Sequence, residues 1–149
     1  MNFDQYWQQL VGRVYRDHAI LQGDEERFYR LSCIYGETMV DGIESYFERR
    51  YDEFAADMKA LRSAGFGELA AEFELASKLL FGSATLDGKT VEATMKRVLD
   101  ETEGPEHVLK KIGKIYDRII PQLEQLADYK YSFGLEVGLF SEASDIFIK

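Results

Sequence analysis

The stretch Ile43-Glu44-Ser45-Tyr46-Phe47-Glu48-Arg49-Arg50-Tyr51-Asp52-Glu53-Phe54-Ala55-Ala56-Asp57-Met58-Lys59-Ala60-Leu61-Arg62-Ser63-Ala64-Gly65 decides the fold class. Ile43, Phe47, Arg50 or Tyr51, Phe54, Met58 and Leu61 recur as a near-heptad, which stacks them along one face of a helix. The pattern stops at Ala64-Gly65, where the glycine offers a C-terminal cap. Gly65-Phe66-Gly67 then leads into a second stripe of Leu69, Phe73, Ala76 and Leu80, ending at Phe81-Gly82. Consecutive amphipathic helices with so short a joint predict an antiparallel hairpin.

Toward the N-terminus, Phe3, Trp7, Leu10 and Val14 share a helical face. Asn2 or Asp4 can cap that helix, which is expected to run to about Leu21. Gly23-Asp24 breaks the pattern, and Asp24, Glu25 and Glu26 suit the positive N-terminal end of the next helix. There Phe28, Leu31, Tyr35 and Met39 form the inward stripe, up to a tight turn or kink at Asp41-Gly42. Toward the C-terminus, Ser83 to Lys89 reads as the longest loop, and Thr90 can cap a short helix through about Glu101. Gly104-Pro105-Glu106 is a good helix start, followed by the stripe Val108, Ile112, Ile115 and Ile119. Pro121 either kinks this helix or begins a new one through about Tyr131. From Phe133 the reading is open: Leu135, Val137 and Leu139 alternate like a strand, and Gly134 and Gly138 weaken it. The whole predicts an all-α chain, one domain over residues 1–149. It is an orthogonal or antiparallel bundle of about six to seven helices, with a short extended C-terminal tail in view.

A chain of 149 residues, 46% apolar, is long enough to bury roughly 70% of its extended surface. No stretch approaches the ~20 apolar residues a membrane helix needs, so no membrane span is expected. The formal net charge of −9, from 27 acids and 18 bases, argues against direct contact with nucleic acid or an anionic membrane. It is compatible with plain solubility and with a basic protein partner reached by electrostatic steering. Met1-Asn2-Phe3-Asp4 opens with an acid rather than a basic leader. The single Cys33 lies in an apolar helical pattern and reads as a buried small hydrophobe, so the expected compartment is a reducing cytoplasm.

Catalytic machinery is hard to find. A di-iron helical bundle wants a Glu three residues before each of two histidines; before His18 and His107 stand Tyr15 and Gly104. H-E-x-x-H, paired C-x-x-C and phosphate-cradling glycine loops are missing, so no metal or other cofactor is expected. Gly65-Phe66-Gly67 lacks a preceding strand, and Gly134 and Gly138 have transmembrane-dimer spacing without an apolar span. Cys33 in a core and histidines beside acids do not suggest a cysteine–histidine nucleophile. The expectation is a protein that is not an enzyme.

The acids are arranged more suggestively. Glu37, Asp41, Glu44, Glu48 and Asp52 recur at spacings of four, three, four and four. If the turn at Gly42 leaves the line intact, these carboxylates follow one edge. A four-residue helical step rises about 6 Å, close to the spacing of successive backbone phosphates. A second group, Asp100, Glu101, Glu103 and Glu106, lies at a helix junction. Against this stands the plainer reading that both are solvated faces, partly neutralised by Arg49, Arg50 and Lys110.

Two adjacent stretches carry a family resemblance. Gly36-Glu37-Thr38-Met39-Val40-Asp41-Gly42-Ile43-Glu44-Ser45-Tyr46-Phe47 resembles a pattern of the form G-E-V-x-N-G-G-F-x-Q-[YF]-F. About twelve residues on, Ala60-Leu61-Arg62-Ser63-Ala64-Gly65, then Leu69-Ala70, Leu75-Ala76 and Leu79-Leu80-Phe81, resembles the same family's glycine and amphipathic-helix run. The family is an uncharacterised bacterial one that includes a DNA-mimic protein. Its members are small, acidic and mainly helical, and the mimic occupies the DNA-binding surface of a transcription factor. This chain departs from the pattern at Val40-Asp41-Gly42, where the family has Asn-Gly-Gly, at Ile43 and at Ser45. The motif positions look structural, so the resemblance implies the fold more than the activity.

The resemblance thus implies a non-enzymatic interaction protein whose acids meet a basic, DNA-binding partner such as a transcription factor. Two other classes stay open: an immunity-type inhibitor plugging a basic toxin or nuclease, and an enzyme whose cleft gathers acids around His18 or His107. Tyr6, Trp7, Tyr15, Tyr129, Tyr131 and Phe133 either complete the core or favour a homodimer.

Overall fold

The protein is described by a computed structural model that covers residues 1–100 and 105–142, without the side chains of 99, 100 and 105–107. The described residues form a bundle of seven α-helices: α1 Phe3–Tyr15, α2 Gly23–Asp41, α3 Ile43–Arg50, α4 Phe54–Ser63, α5 Gly67–Phe81, α6 Gly88–Asp100 and α7 Pro105–Glu136. A 3-10 turn, Tyr51–Glu53, joins α3 to α4. The all-α expectation therefore holds.

Periodicity located the faces well. Leu69, Phe73, Ala76 and Leu80 are all buried, and so are Ile112, Ile115 and Ile119. They join Leu31, Ile34, Ile43, Tyr46, Phe47, Met58 and Leu61 in a main core shared by α2 to α7. Between α2 and α3, Gly42 supplies a φ of +92°, a conformation that side chains with a Cβ rarely adopt. Between α4 and α5, Gly65 does the same at +90°. Helix α7 begins at Pro105 as expected and runs unbroken through Pro121, so that proline starts no new helix. Its missing N–H removes one bond of the ladder, which packing on both sides of it outweighs.

Four local expectations are corrected. The first helix ends at Tyr15, not Leu21: His18 takes a left-handed φ of +54°, and the N–H groups of Asp17 and Ala19 fold back to the carbonyls of Gly12 and Arg13. The near-heptad from Ile43 to Leu61 is not one helix, because the backbone of Arg50 leaves the helical region and the 3-10 turn follows. Thr90 does not cap α6; the Asp87 carboxylate accepts from the Thr90 N–H at 2.8 Å instead. The alternation of Leu135, Val137 and Leu139 is no strand. Helix α7 continues to Glu136, Gly138 turns at φ +82°, and the Leu139 N–H returns to the Gly134 carbonyl at 2.9 Å.

That last turn closes a second, aromatic core. Phe140 packs edge-on against Phe3 and Phe28, and Tyr6, Leu10 and Phe28 bury with it. Rings expected to be spare are mostly consumed here. Tyr6 is buried, Trp7 stacks on Tyr29, and Tyr129 stacks on Phe133. Tyr15, at 68% exposure, is the clear exception, with Tyr131 at the margin. Lys130 threads the middle of this cluster, its Nζ 5.1 Å from the Phe3 ring centre, 5.6 Å from Phe28 and 5.7 Å from Tyr35. Burial lowers its pKa, an unfavourable contribution that the three ring faces partly offset.

Gly134 is the steric key to the closure: a Cβ there would overlap the Phe140 ring, whose Cζ would lie 2.7 Å away. Gly134→Ala is therefore expected to destabilise the chain by about 1–3 kcal/mol despite its better helix propensity. Urea denaturation followed by circular dichroism checks this, and an unchanged midpoint would refute it.

Candidate acidic cleft and a buried ion cluster

The five acids predicted as one row are distributed over three elements. Glu37 and Asp41 belong to α2, Glu44 and Glu48 to α3, and Asp52 to the 3-10 turn. The line is broken at Gly42 and again at Arg50, so the continuous row at helical pitch does not form. Instead, the turn at Gly42 brings Asp41, Glu44 and Glu48 onto one wall of a cleft of about 300 Å³. The opposite wall is apolar: Met95 and Val98 of α6 and Leu109 of α7. Glu37 is held elsewhere, bonded to Arg49 at 3.1 Å, and Asp52 stands exposed outside the cleft. Glu101 and Glu103 lie outside the described residues, as do the side chains of Asp100 and Glu106.

The cleft is lined by three carboxylates and one guanidinium, that of Arg49. Among the described residues, no lysine or arginine is ion-paired with Asp41, Glu44 or Glu48, while Arg49 at the rim is engaged by Glu37. Glu44 bends back over Gly42 at the start of α3. Its pKa is raised, first by burial and further by Glu48, although its own backbone N–H partly opposes this. A carboxylate so placed gains from an arriving cation more than a solvated one does.

Sequence reasoning missed the pairing of Arg50 with Asp57. Asp57 of α4 is fully enclosed and accepts from the Tyr46 hydroxyl at 2.8 Å and from Arg50 at 2.7 and 2.8 Å. Arg30 of α2 adds a fourth bond at 3.1 Å, and also reaches Glu26 and Glu53. Burial works against the Arg50 charge, but the bidentate bond and attraction to Asp57 outweigh it and hold its pKa above the usual range. Burial, and then the Asp57 charge, push the Tyr46 hydroxyl up likewise. The signal was present: Arg50 and Asp57 both fall on the inward stripe, where a charge needs a partner.

A second hollow, of about 230 Å³, lies beside this cluster, with Ile20, Leu21 and Tyr29 facing Arg30 and Arg50. Both guanidinium groups are already bonded to carboxylates, so it is not an anion site. Cys33 is half-buried, and burial pushes its thiol pKa up, which lowers its reactivity. His18 is exposed, and the side chain of His107 is not described. Among the described residues no group of three His, Cys, Asp or Glu could hold a metal ion, and no helix is long and apolar enough to cross a membrane. Comparison of the chain with known protein families, curated proteins and solved structures finds no match.

Two outcomes follow from this geometry. Asp57→Asn leaves Arg50 buried without its counter-charge and is expected to cost about 3–5 kcal/mol, whereas Glu53→Gln, at a half-exposed partner of Arg30, costs under ~1 kcal/mol. Chemical denaturation of the two variants checks the contrast, and equal losses would refute it. Glu44→Gln is expected to stabilise the chain at neutral pH. Because the folded pKa of Glu44 is raised, ionisation penalises the native state above that pKa, and the penalty vanishes once both states are protonated. The gain should accordingly fade as pH drops below the ordinary glutamate range; a gain independent of pH in thermal melts would contradict the assignment.

Proposed function

We propose that this chain is an acidic interaction protein that acts by binding rather than catalysis, its cleft wall of Asp41, Glu44 and Glu48 receiving the basic surface of a nucleic-acid-binding protein. The observation that carries the reading is the convergence of these three carboxylates on one cleft without an ion-paired cation among the described residues. Net charge of −9 would steer a basic partner toward it, raising association rates at low salt. The family resemblance across Gly36 to Phe47 points the same way, toward imitation of DNA at a transcription factor's binding surface. Imitation need not copy a duplex along its length. The local group spans only about two turns of helical spacing, so it substitutes for a few phosphates.

Affinity capture from native lysate tests the proposal. A basic protein should be retained at low ionic strength, released near 1 M salt where the screening length falls to about 3 Å, and displaced by duplex DNA. Retention insensitive to salt would overturn the reading. Salt-sensitive retention of a nuclease, without displacement by DNA, would replace mimicry with inhibition of a basic toxin.

A further inference from the structure

The two ends of α2 carry different chemistry. The acidic cleft lies at its C-terminal end; beside its N-terminal half a separate cleft of about 310 Å³ opens toward α4. On the α4 side, Ala56 and Ala60 carry too little side chain to fill the space between the helices. Around that space stand three cations, Arg27 and Arg30 from α2 and Lys59 from α4, against one carboxylate, Glu26. The Ser63 hydroxyl is the remaining polar side chain of the lining. In a chain of net charge −9 this is a local reversal of sign.

Glu26 is already engaged: Arg30 donates to it at 3.2 Å, and to Asp57 at 3.1 Å. The other two cations are left over. Neither Arg27 nor Lys59 makes a hydrogen bond or ion pair among the described residues. Arg27 has acids close by on its own helix, but Glu25 is held by Arg13 and Glu26 by Arg30, and Asp24 is exposed and does not line the cleft. The Arg27 guanidinium instead rests half-buried over the Phe133 ring, 5.5 Å from its centre, which restrains it without using its N–H donors. Arg27 and Arg30, three residues apart on one helix face, repel each other, and Lys59 across the cleft adds to the repulsion. An anion held between them would remove that cost.

We infer that the cleft between α2 and α4 is a binding site for a phosphate group, free or as the terminal monoester of a small molecule, with Arg27 and Lys59 supplying the charge and Ser63 a hydroxyl donor. A phosphate monoester carries about −1.5 to −2 charge at neutral pH, which two unengaged cations match; a carboxylate would leave one of them unmatched. A guanidinium fork beside an ammonium is a donor set suited to phosphate oxygens. The net charge of −9 opposes a polyanion, so the source is a small molecule and not a nucleic-acid backbone. The site is independent of the acidic cleft, because Arg27 and Asp41 stand fourteen residues, about 21 Å, apart along α2.

The test titrates the full isotope-labelled chain with inorganic phosphate and with glycerol phosphate at constant ionic strength, following backbone amide shifts by NMR. Saturation below about 10 mM is expected for at least one of the two, with the shifts centred on residues 23–30 and 56–63. Arg27→Gln and Lys59→Gln should each weaken that binding about tenfold, while Lys111→Gln, equal in charge but exposed on α7, should leave it unchanged. Lys59 is exposed, so its variant decides the matter even if Arg27→Gln, which gives up the Phe133 contact, fails to fold. Tighter binding of the ester assigns the cleft to a phosphorylated small molecule; equal or tighter binding of inorganic phosphate assigns it to the free ion. No saturation by either ligand, or binding that Lys59→Gln leaves unchanged, overturns the site. Neither result touches the acidic-interaction reading, which salt-insensitive capture from lysate removes separately.

Discussion

The carboxylate of Asp57 is the constraint on which the rest of the structure turns. It is wholly enclosed and bonded by Tyr46 and Arg50 from α3 and by Arg30 from α2. Three consecutive helices are thereby tied to one anionic group. Burying such a cluster is costly in itself, and an apolar replacement of the same shape could be as stable. What it supplies is geometry. In a continuous helix Arg50 and Asp57 would stand two turns, about 10 Å, apart along the axis. The chain breaks at Arg50, turns through Tyr51–Glu53, and closes the bidentate pair.

That break also makes the cleft. Ending α3 at Arg50 leaves an eight-residue helix whose apolar side, Ile43, Tyr46 and Phe47, is locked into the core. Its other side then has no choice but to present Glu44 and Glu48 to α6. Gly42 turns the end of α2 so that Asp41 joins them. The raised pKa of Glu44 is a physical consequence of this crowding. Carboxylates spread along a straight helix would be better hydrated and less perturbed.

A different economy holds the ends of the chain. Helix α1 is attached through aromatic rings on Phe28, Tyr29 and Phe140, reinforced by Glu25, which accepts from the Tyr6 hydroxyl and from both Arg13 nitrogens. The C-terminal turn at Gly138 delivers Phe140 into the same cluster, and Ser141 bonds to the Met1 carbonyl. The two ends are thus fastened to each other as well as to α2 and α7. Aromatic residues that look surplus in sequence are accounted for by this second core.

Sequence alone determined the all-α class, the buried stripe Leu69, Phe73, Ala76 and Leu80, the glycine turns at Gly42 and Gly65, and the start of α7 at Pro105. Each follows from local periodicity or from a residue's own backbone preference, which neighbours in sequence suffice to reveal. It also named Asp41, Glu44 and Glu48 as candidates, because acids are countable. Only the tertiary structure decided that these three share a cleft, that Glu37 is diverted to Arg49, and that Asp52 is set apart. It alone ended α3 at Arg50 and turned a strand-like tail into a helix end around Gly134. Those outcomes depend on partners remote in sequence: a carboxylate seven residues and one turn away, or a ring that fills the space a glycine leaves. Periodicity records which face a residue occupies, not where the backbone must bend to satisfy a buried charge.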